Sequence, residues 1–442
     1  MEGIGKTMEV VTMVIRGINL ILIFDLIFCG KKETESTWAW ILLLVQFPIM
    51  GLFLYILTGQ QIPIRKKKVW EEEKFALTED NRVEIFTNGE EKFVRLFRDL
   101  QSAKKEILIQ YYIFQDDFLF EKMKCILCEK AAEGVKVQVL YDTLGSRKMP
   151  KSKWKEMKER GILVRPWKSG MWNRLLSRIS GVNYRNHRKI VVIDDNIGYV
   201  GGINVGKEYL GLEPKFGFWR DTHFRIEGSG VANLSIIFRR DLGEKNPEEE
   251  GKKSSFVKGM GSSVQMVASG PDSKEPHIRN VYLRCIGNAR ESIKIQTPYF
   301  VPDVVTMHAL KLALLSGKEV KLMIPNKPDH MFVYWATRYY AAQLLALGAK
   351  VYLYKEGFLH AKGIIMDEEV YCFGTANMDI RSFFLNREVN VIVYGREEGE
   401  KMCEIFEKDI QNCHQLTWEE YASRKLKIRI KEQFSRLLSP LL

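Results

Sequence analysis

His187 to Asp194 reads HRKIVVID, and His360 to Asp367 reads HAKGIIMD. Both octets hold a histidine, a spacer, a lysine, four further residues and an aspartate: His187, Lys189, Asp194 and His360, Lys362, Asp367. Their surroundings repeat as well. GGIN from Gly201 and GTAN from Gly374 stand 173 residues apart, as the two histidines do. Upstream, IQYYIF from Ile109 answers IQTPYF from Ile295, and VKVQVLYD from Val135 answers VKLMIPNKPD from Val320, at offsets of 186 and 185. Self-similarity at a fixed offset marks a duplicated body. The drop from 185 to 173 means that the first half gains about 12 residues before its histidine. Val- and Ile-rich runs alternate with helical stretches such as 121–133 and 331–347, which predicts layered α/β structure. The expected architecture is two similar lobes, 69–242 and 277–442, related by a pseudo-twofold axis. A polar segment, 243–276, containing NPEEEGKKSS, reads as the linker between them.

The 442 residues exceed any single small module, and 46% hydrophobic with 28% charged residues excludes wholesale disorder and fibrous repeats. A net charge of +12 suits a surface attracted to phosphates, of nucleic acid or of anionic lipid. Seven cysteines, odd in number and scattered from Cys29 to Cys413, do not make a secreted disulfide framework, so a reducing compartment is expected. Cys125 and Cys128 form a lone C-x-x-C in a helical stretch with no second pair nearby, and no metal site is expected there.

Thr37 to Ile64 carries no charge, and WAWILLLVQFPIMGLFLYILTG within it exceeds the roughly 20 residues that cross a bilayer core. Val10 to Cys29 is also apolar but contains Arg16 and Asp25. A cleaved signal peptide fits that first run poorly, since charge interrupts it and no small-residue cleavage pattern follows. The expectation is a transmembrane helical hairpin in residues 1–68, with helices over about 10–29 and 38–59. Arg65, Lys66, Lys67 and Lys68 follow the second run, which by the positive-inside tendency puts the rest of the chain in the cytoplasm.

On an extended strand, residues two apart share a face, so each His–Lys pair can converge on one anion. A phosphodiester fits. Seventeen residues beyond each histidine stands an asparagine, Asn204 or Asn377, after glycines that let backbone approach a bound group. Each asparagine adds a neutral donor for phosphate oxygens. A lone H-x-K is common by chance; two copies with matching Asp, Gly and Asn spacing in one duplicated chain are not.

These twin motifs resemble the phospholipase D superfamily, in which H-x-K-x4-D occurs twice per active site. Further blocks narrow the resemblance to the bacterial cardiolipin synthases: YYIFQDD from Tyr111, NYRNHRKIVVID from Asn183, WRDTH from Trp219, QTPYFVPD from Gln296, GFLHAKGIIMD from Gly357 and GTANMDIRSFFLNREVN from Gly374. The resemblance covers nearly the whole chain. It departs at Thr375, where serine is usual, and at Arg387, where an aromatic is common and the pocket could change.

The resemblance implies two α/β lobes sharing one active site, and transfer of a phosphatidyl group between two phosphatidylglycerol molecules through a phosphatidyl-histidine, with no cofactor and no metal. It implies His187 as nucleophile and His360 as acid. It also implies Lys189, Lys362, Asn204 and Asn377 on the phosphate oxygens, and a carboxylate behind each imidazole: Glu388 for His360 and Asp221 for His187. Asp194 and Asp367 stand an odd number of steps from the lysines, point away and are expected to be structural. The partners implied are phosphatidylglycerol and anionic membrane lipid at the bacterial cell membrane, with no nucleic acid; oligomeric state is left open. A hydrolytic phospholipase D, in which water replaces the lipid hydroxyl, is the nearest alternative. A membrane-anchored nuclease or an idle scaffold explains fewer features. The inserted residues place Met171, Trp172, Leu175, Leu176 and Ile179 on one helical face beside Arg174 and Arg178, a pattern that suits equally an interfacial helix admitting lipid and ordinary packing against the lobe. The closing RKLKIRIKEQFSRLLSPLL is basic and amphipathic too, which suits an interfacial helix or a solvated one equally.

Overall fold

A computed structural model describes residues 2–28, 34–55, 75–167, 184–244 and 261–439. The chain divides into two units: Met1–Val69 with Lys168–Tyr184, and Trp70–Trp167 with Arg185–Leu442. The inserted amphipathic face around Trp172 lies outside the described residues, as does Arg65–Lys68.

In the first unit, α1 (Glu2–Phe28) is the one helix among the described residues long and apolar enough to cross a membrane, over Glu9–Phe28. The second apolar run differs from the expected single helix over 38–59. It forms α2 (Thr34–Gln46) and α3 (Pro48–Leu54), and the chain turns back between them. The Trp40 and Tyr55 rings meet edge-on at 5.2 Å, and a Cβ on Gly51 would stand 2.5 Å from the Leu43 carbonyl oxygen. The cause is Pro48. It has no N–H for the Leu44 carbonyl and forces Phe47 out of helical geometry, to φ −127 and ψ 70. Asn19 of α1 donates from Nδ2 to the Leu44 and Pro48 carbonyls at 3.0 Å each, serving acceptors that lipid would leave bare. The apolar stretch Thr37–Gln46 rises about 15 Å, half of a bilayer core of about 30 Å.

The described residues of the second unit form nineteen strands, fifteen in one mixed sheet and the other four in two separate pairs. Its first half supplies β1 (Thr78–Phe86), β2 (Glu106–Tyr111), β3 (Lys136–Asp142), β4 (Leu163–Trp167), β5 (Ile190–Ile193), β6 (Ile197–Gly201), β7 (Phe218–Arg220) and β8 (His223–Glu227). The second half supplies β9 (Ser262–Ser269), β10 (Ser292–Gln296), β11 (Phe300–Val301), β12 (Glu319–Pro325), β13 (Lys350–Tyr354), β14 (Gly357–Leu359), β15 (Gly363–Met366), β16 (Val370–Gly374), β17 (Met378–Asp379), β18 (Glu388–Tyr394) and β19 (Cys413–Leu416). Outward from the central β1–β9 pair, one wing runs β8, β6, β5, β2, β3, β4 and the other β18, β16, β15, β10, β12, β13, with β19 at its edge. In each wing the three outer strands β2–β3–β4 or β10–β12–β13 are parallel and the inner pairs antiparallel. Strands buried on both faces, such as IVVI in β5, need the unbroken apolar runs that the sequence shows. Each wing packs helices over a core of its own. A third core joins the wings on the other face, bringing Leu108 and Phe224 together with Ile365 and Phe373.

The segment expected as a linker, 243–276, is only partly one. Gly243 ends the helix Val231–Leu242 in the left-handed conformation, φ 95, and 245–260 lie outside the described residues. Ser262–Ser269 is a central strand, burying Val264 and Met266 between β1 and β18.

Candidate active site

Two short parallel pairings tie the halves together beside the sheet. Asn186 bridges Arg387, and β14 pairs β7 with Leu359 opposite Arg220. The next residue on each chain is therefore brought to its counterpart: His187 to Glu388, and His360 to Asp221. His187 Nδ1 lies 3.0 Å from each Glu388 carboxylate oxygen, and His360 Nδ1 lies 2.5 Å from Asp221 Oδ2. Both carboxylates are fully buried, while the imidazoles keep 14% and 12% of their surface exposed. The carboxylate behind each histidine comes from the opposite half, the reverse of the assignment by nearness in sequence.

Lys189 and Lys362 are buried beside them. Lys189 Nζ donates to the His187 carbonyl at 2.6 Å; Lys362 Nζ donates to the His360 carbonyl, lies 2.6 Å from His360 Nδ1 and 3.7 Å from Asp221. Between His187 and Lys189, Arg188 points the other way and grips Asp241 with Nη1, 2.8 Å from each oxygen, as alternation on an extended chain requires. Burial pushes the Lys189 ammonium down to about 7 and Lys362 to about 8. Burial, together with Lys362, holds His360 at about 4, and burial moves His187 in the same direction. Burial alone would raise the Asp221 carboxyl, but Lys362 and His360 outweigh it and hold it at about 2. The site is a pair of ionised carboxylates, each fixing one imidazole, with a lysine beside each.

Both histidines border a cavity of about 430 Å³, as do Asn204 and Asn377. Asn204 is held at both ends, its Oδ1 accepting from the Ile113 N–H at 3.1 Å and its Nδ2 donating to the Tyr209 hydroxyl at 2.9 Å. Asp194 and Asp367 lie away from the cavity. Each sits in the left-handed region, φ 54 and φ 50, and accepts three backbone N–H bonds: from Lys104, Lys105 and Glu106, and from Arg290, Glu291 and Ser292. They tie down the loops that lead into β2 and β10. Arg387 does not line the cavity either. It bonds Asp241 at 2.9 Å, pairs with Asp272 and lies over the Trp167 ring.

Sequence reasoning passed over Tyr112, Arg185, Tyr299, Asp379 and Arg381, all of which border the cavity. Each falls inside a block that carried the resemblance, YYIFQDD, NYRNH, QTPYF or NMDIRS, and that was the available signal. Tyr112 packs edge-on against the His187 ring at 4.9 Å, and Trp219 lies 4.9 Å from His360. Among the described residues, no three His, Cys, Asp or Glu side chains are grouped to hold a metal ion.

Residues 96–214 and 282–410 match the family described as cardiolipin synthase, PLD-like domain, so each match contains one His/Lys/Asp motif. The chain belongs to the cardiolipin synthases of the phospholipase D superfamily. It is 41% identical to the major cardiolipin synthase ClsA of Bacillus subtilis, over 96% of this chain and 97% of that one. It is 40% identical to a cardiolipin synthase of Listeria monocytogenes, over 94% and 95%. Residues 17–60 match a second family, phospholipase D-nuclease N-terminal. The phosphatidylserine synthase of Haemophilus influenzae shares the fold at a TM-score of 0.63 and 16% identity, covering 81% of this chain and 95% of its own. As a cardiolipin synthase the chain is an enzyme, a phosphatidyltransferase of phospholipid biosynthesis, and its N-terminal apolar helix accords with membrane association.

Proposed function

We propose that the enzyme joins two phosphatidylglycerol molecules through a covalent phosphatidyl-histidine, with the halves acting as pseudo-twofold lobes on one phosphate. The observation that carries this reading is the pair of imidazoles on one cavity, each held at Nδ1 by a buried carboxylate of the other half. With Nδ1–H donated to Glu388, the His187 Nε2 lone pair attacks phosphorus. The bond from phosphorus to the glycerol oxygen breaks, and His360 gives its Nε2 proton to that oxygen. In the second displacement the hydroxyl of another phosphatidylglycerol attacks phosphorus, His360 takes its proton, and the phosphorus–nitrogen bond breaks. Lys189 and Lys362, with Asn204 and Asn377, stabilise the charge on the phosphate oxygens. An entering phosphodiester brings negative charge between the lysines, which raises the proton affinity of His360 and fits it to act as acid. Matching strand order in the two wings supports the pseudo-twofold reading. We also propose that α1 anchors the protein in the bilayer and that Arg65–Lys68 mark a cytoplasmic location for the catalytic lobes.

Phosphatidylglycerol vesicles incubated with the purified protein should yield cardiolipin and free glycerol by mass spectrometry. Phosphatidic acid as the sole lipid product would overturn the transfer reading. The lysines set a pH dependence. Their folded values of about 7 and 8 lie below the ordinary one, so the free enzyme loses its cationic grip as pH rises through that window. KM for phosphatidylglycerol should rise between about pH 7 and 8; a flat KM across it would remove the lysines from phosphate binding.

A further inference from the structure

The helix Leu426–Leu437 is built inside out. Its inner side buries Glu432 and Ser435, and Glu432 accepts from the Tyr421 hydroxyl at 3.0 Å and from Arg424 at 2.7 Å. Its outer side presents Leu426, Ile430, Phe434 and Leu437, at spacings of four, four and three, each more than half exposed at 70%, 59%, 56% and 67%. These positions fall on one stripe of an α-helix. A helix facing water would be arranged the other way. The stripe continues onto the helix Met331–Leu345, where the Phe332 ring lies 6.5 Å from that of Phe434 and is itself exposed. His330 and Val333, on either side of this Met331–Phe332 start, line the catalytic cavity. The apolar surface therefore runs to the cavity mouth.

Charge indicates what covers it. Lys425, Lys427, Arg429 and Arg436 are exposed around the stripe, and the only acid of this segment, Glu432, is the buried one. Two copies apposed through this face would set cations against cations. Acyl chains under anionic headgroups satisfy both the stripe and its flanks.

We propose that Leu426–Leu437 and the start of Met331–Leu345 lie on the surface of an anionic phospholipid bilayer, so that substrate reaches the cavity without crossing water. This rests on the phospholipid reading above. The helix is a positioning element and touches no reacting atom.

The test places the photoreactive residue benzoylphenylalanine at Ile430 of the full chain, reconstituted in phosphatidylglycerol vesicles, with a control at Lys155, an exposed residue of the helix Lys151–Glu159. After irradiation, the Ile430 variant should carry lipid-mass adducts about tenfold more often than the control, and lose most of them when phosphatidylcholine replaces phosphatidylglycerol. Cross-links to a second copy or to another segment of the chain, no adduct, or adducts indifferent to headgroup charge would each overturn the assignment. The Ile430→Glu, Phe434→Glu variant should lose turnover on vesicles while keeping it on detergent-dispersed lipid; equal loss in both would likewise overturn it. The adduct does not depend on catalysis. Lipid adducts without cardiolipin formation would defeat the phosphatidylglycerol reading and leave this face standing, and cardiolipin formation without adducts would do the reverse.

Discussion

Alanine at His187 should abolish the first displacement on every phosphodiester, whereas alanine at His360 should spare that displacement on one whose leaving group needs no proton. The asymmetry follows from what each imidazole supplies. A nucleophile removed from the first displacement leaves no covalent intermediate to form, whatever departs. An acid removed from it leaves a glycerol oxygen to depart as an alkoxide, at a loss of about 10²- to 10⁴-fold. From a phosphatidyl ester of p-nitrophenol the leaving group departs as a stabilised phenolate, so a burst of p-nitrophenolate should return in His360→Ala alone, while the second displacement, which needs His360 as base, stays slow. Quenching with denaturing detergent at neutral pH, where the phosphorus–nitrogen bond survives, should then trap lipid phosphate on His360→Ala protein and none on His187→Ala. The structure makes the comparison clean, since each imidazole has its own carboxylate and its own lysine, and removing one leaves the other's supports in place. Recovery in His187→Ala instead would exchange the two roles.

The duplicated octets disclosed the α/β body and six residues of its motifs, because a histidine and a lysine two apart must share a face wherever the strand lies. They also placed Asp194 and Asp367 away from the reaction, where each is held by three backbone N–H groups. The crossing of the carboxylates was not legible. Glu388 stands 201 residues from His187 and Asp221 stands 139 from His360. What joins them is a bridge at Asn186–Arg387 and a three-residue pairing of β7 with β14, too short to leave a pattern in the chain. The second apolar run misled for a different reason. Its length satisfies a bilayer span, but Pro48 stands in its middle, and a missing N–H outweighs hydropathy in deciding where a helix ends. Arg387, an odd residue beside Glu388, reads from sequence as part of the pocket. Its guanidinium is taken instead by Asp241 and Asp272.

The crossed pairs make a second prediction. Asp221→Asn should behave as a damaged acid, and Glu388→Gln as a damaged nucleophile. Each amide keeps the shape of the carboxylate but offers an N–H where the imidazole needs an acceptor, so the ring turns or takes the wrong tautomer and loses the charge that stabilises its cation. Amidating the carboxylate behind a catalytic imidazole costs about 10⁴-fold in a serine protease, and a loss of the same order is expected for either variant with phosphatidylglycerol. The p-nitrophenyl ester separates them. Asp221→Asn should regain the p-nitrophenolate burst with it and accumulate trapped lipid phosphate; Glu388→Gln should do neither, because the attacking Nε2 is what it has lost. Pairing by nearness in sequence demands the opposite, with rescue in Glu388→Gln, since that residue would then stand behind His360. One substrate and two conservative variants thus decide which carboxylate serves which histidine, without relying on the distances that suggested it.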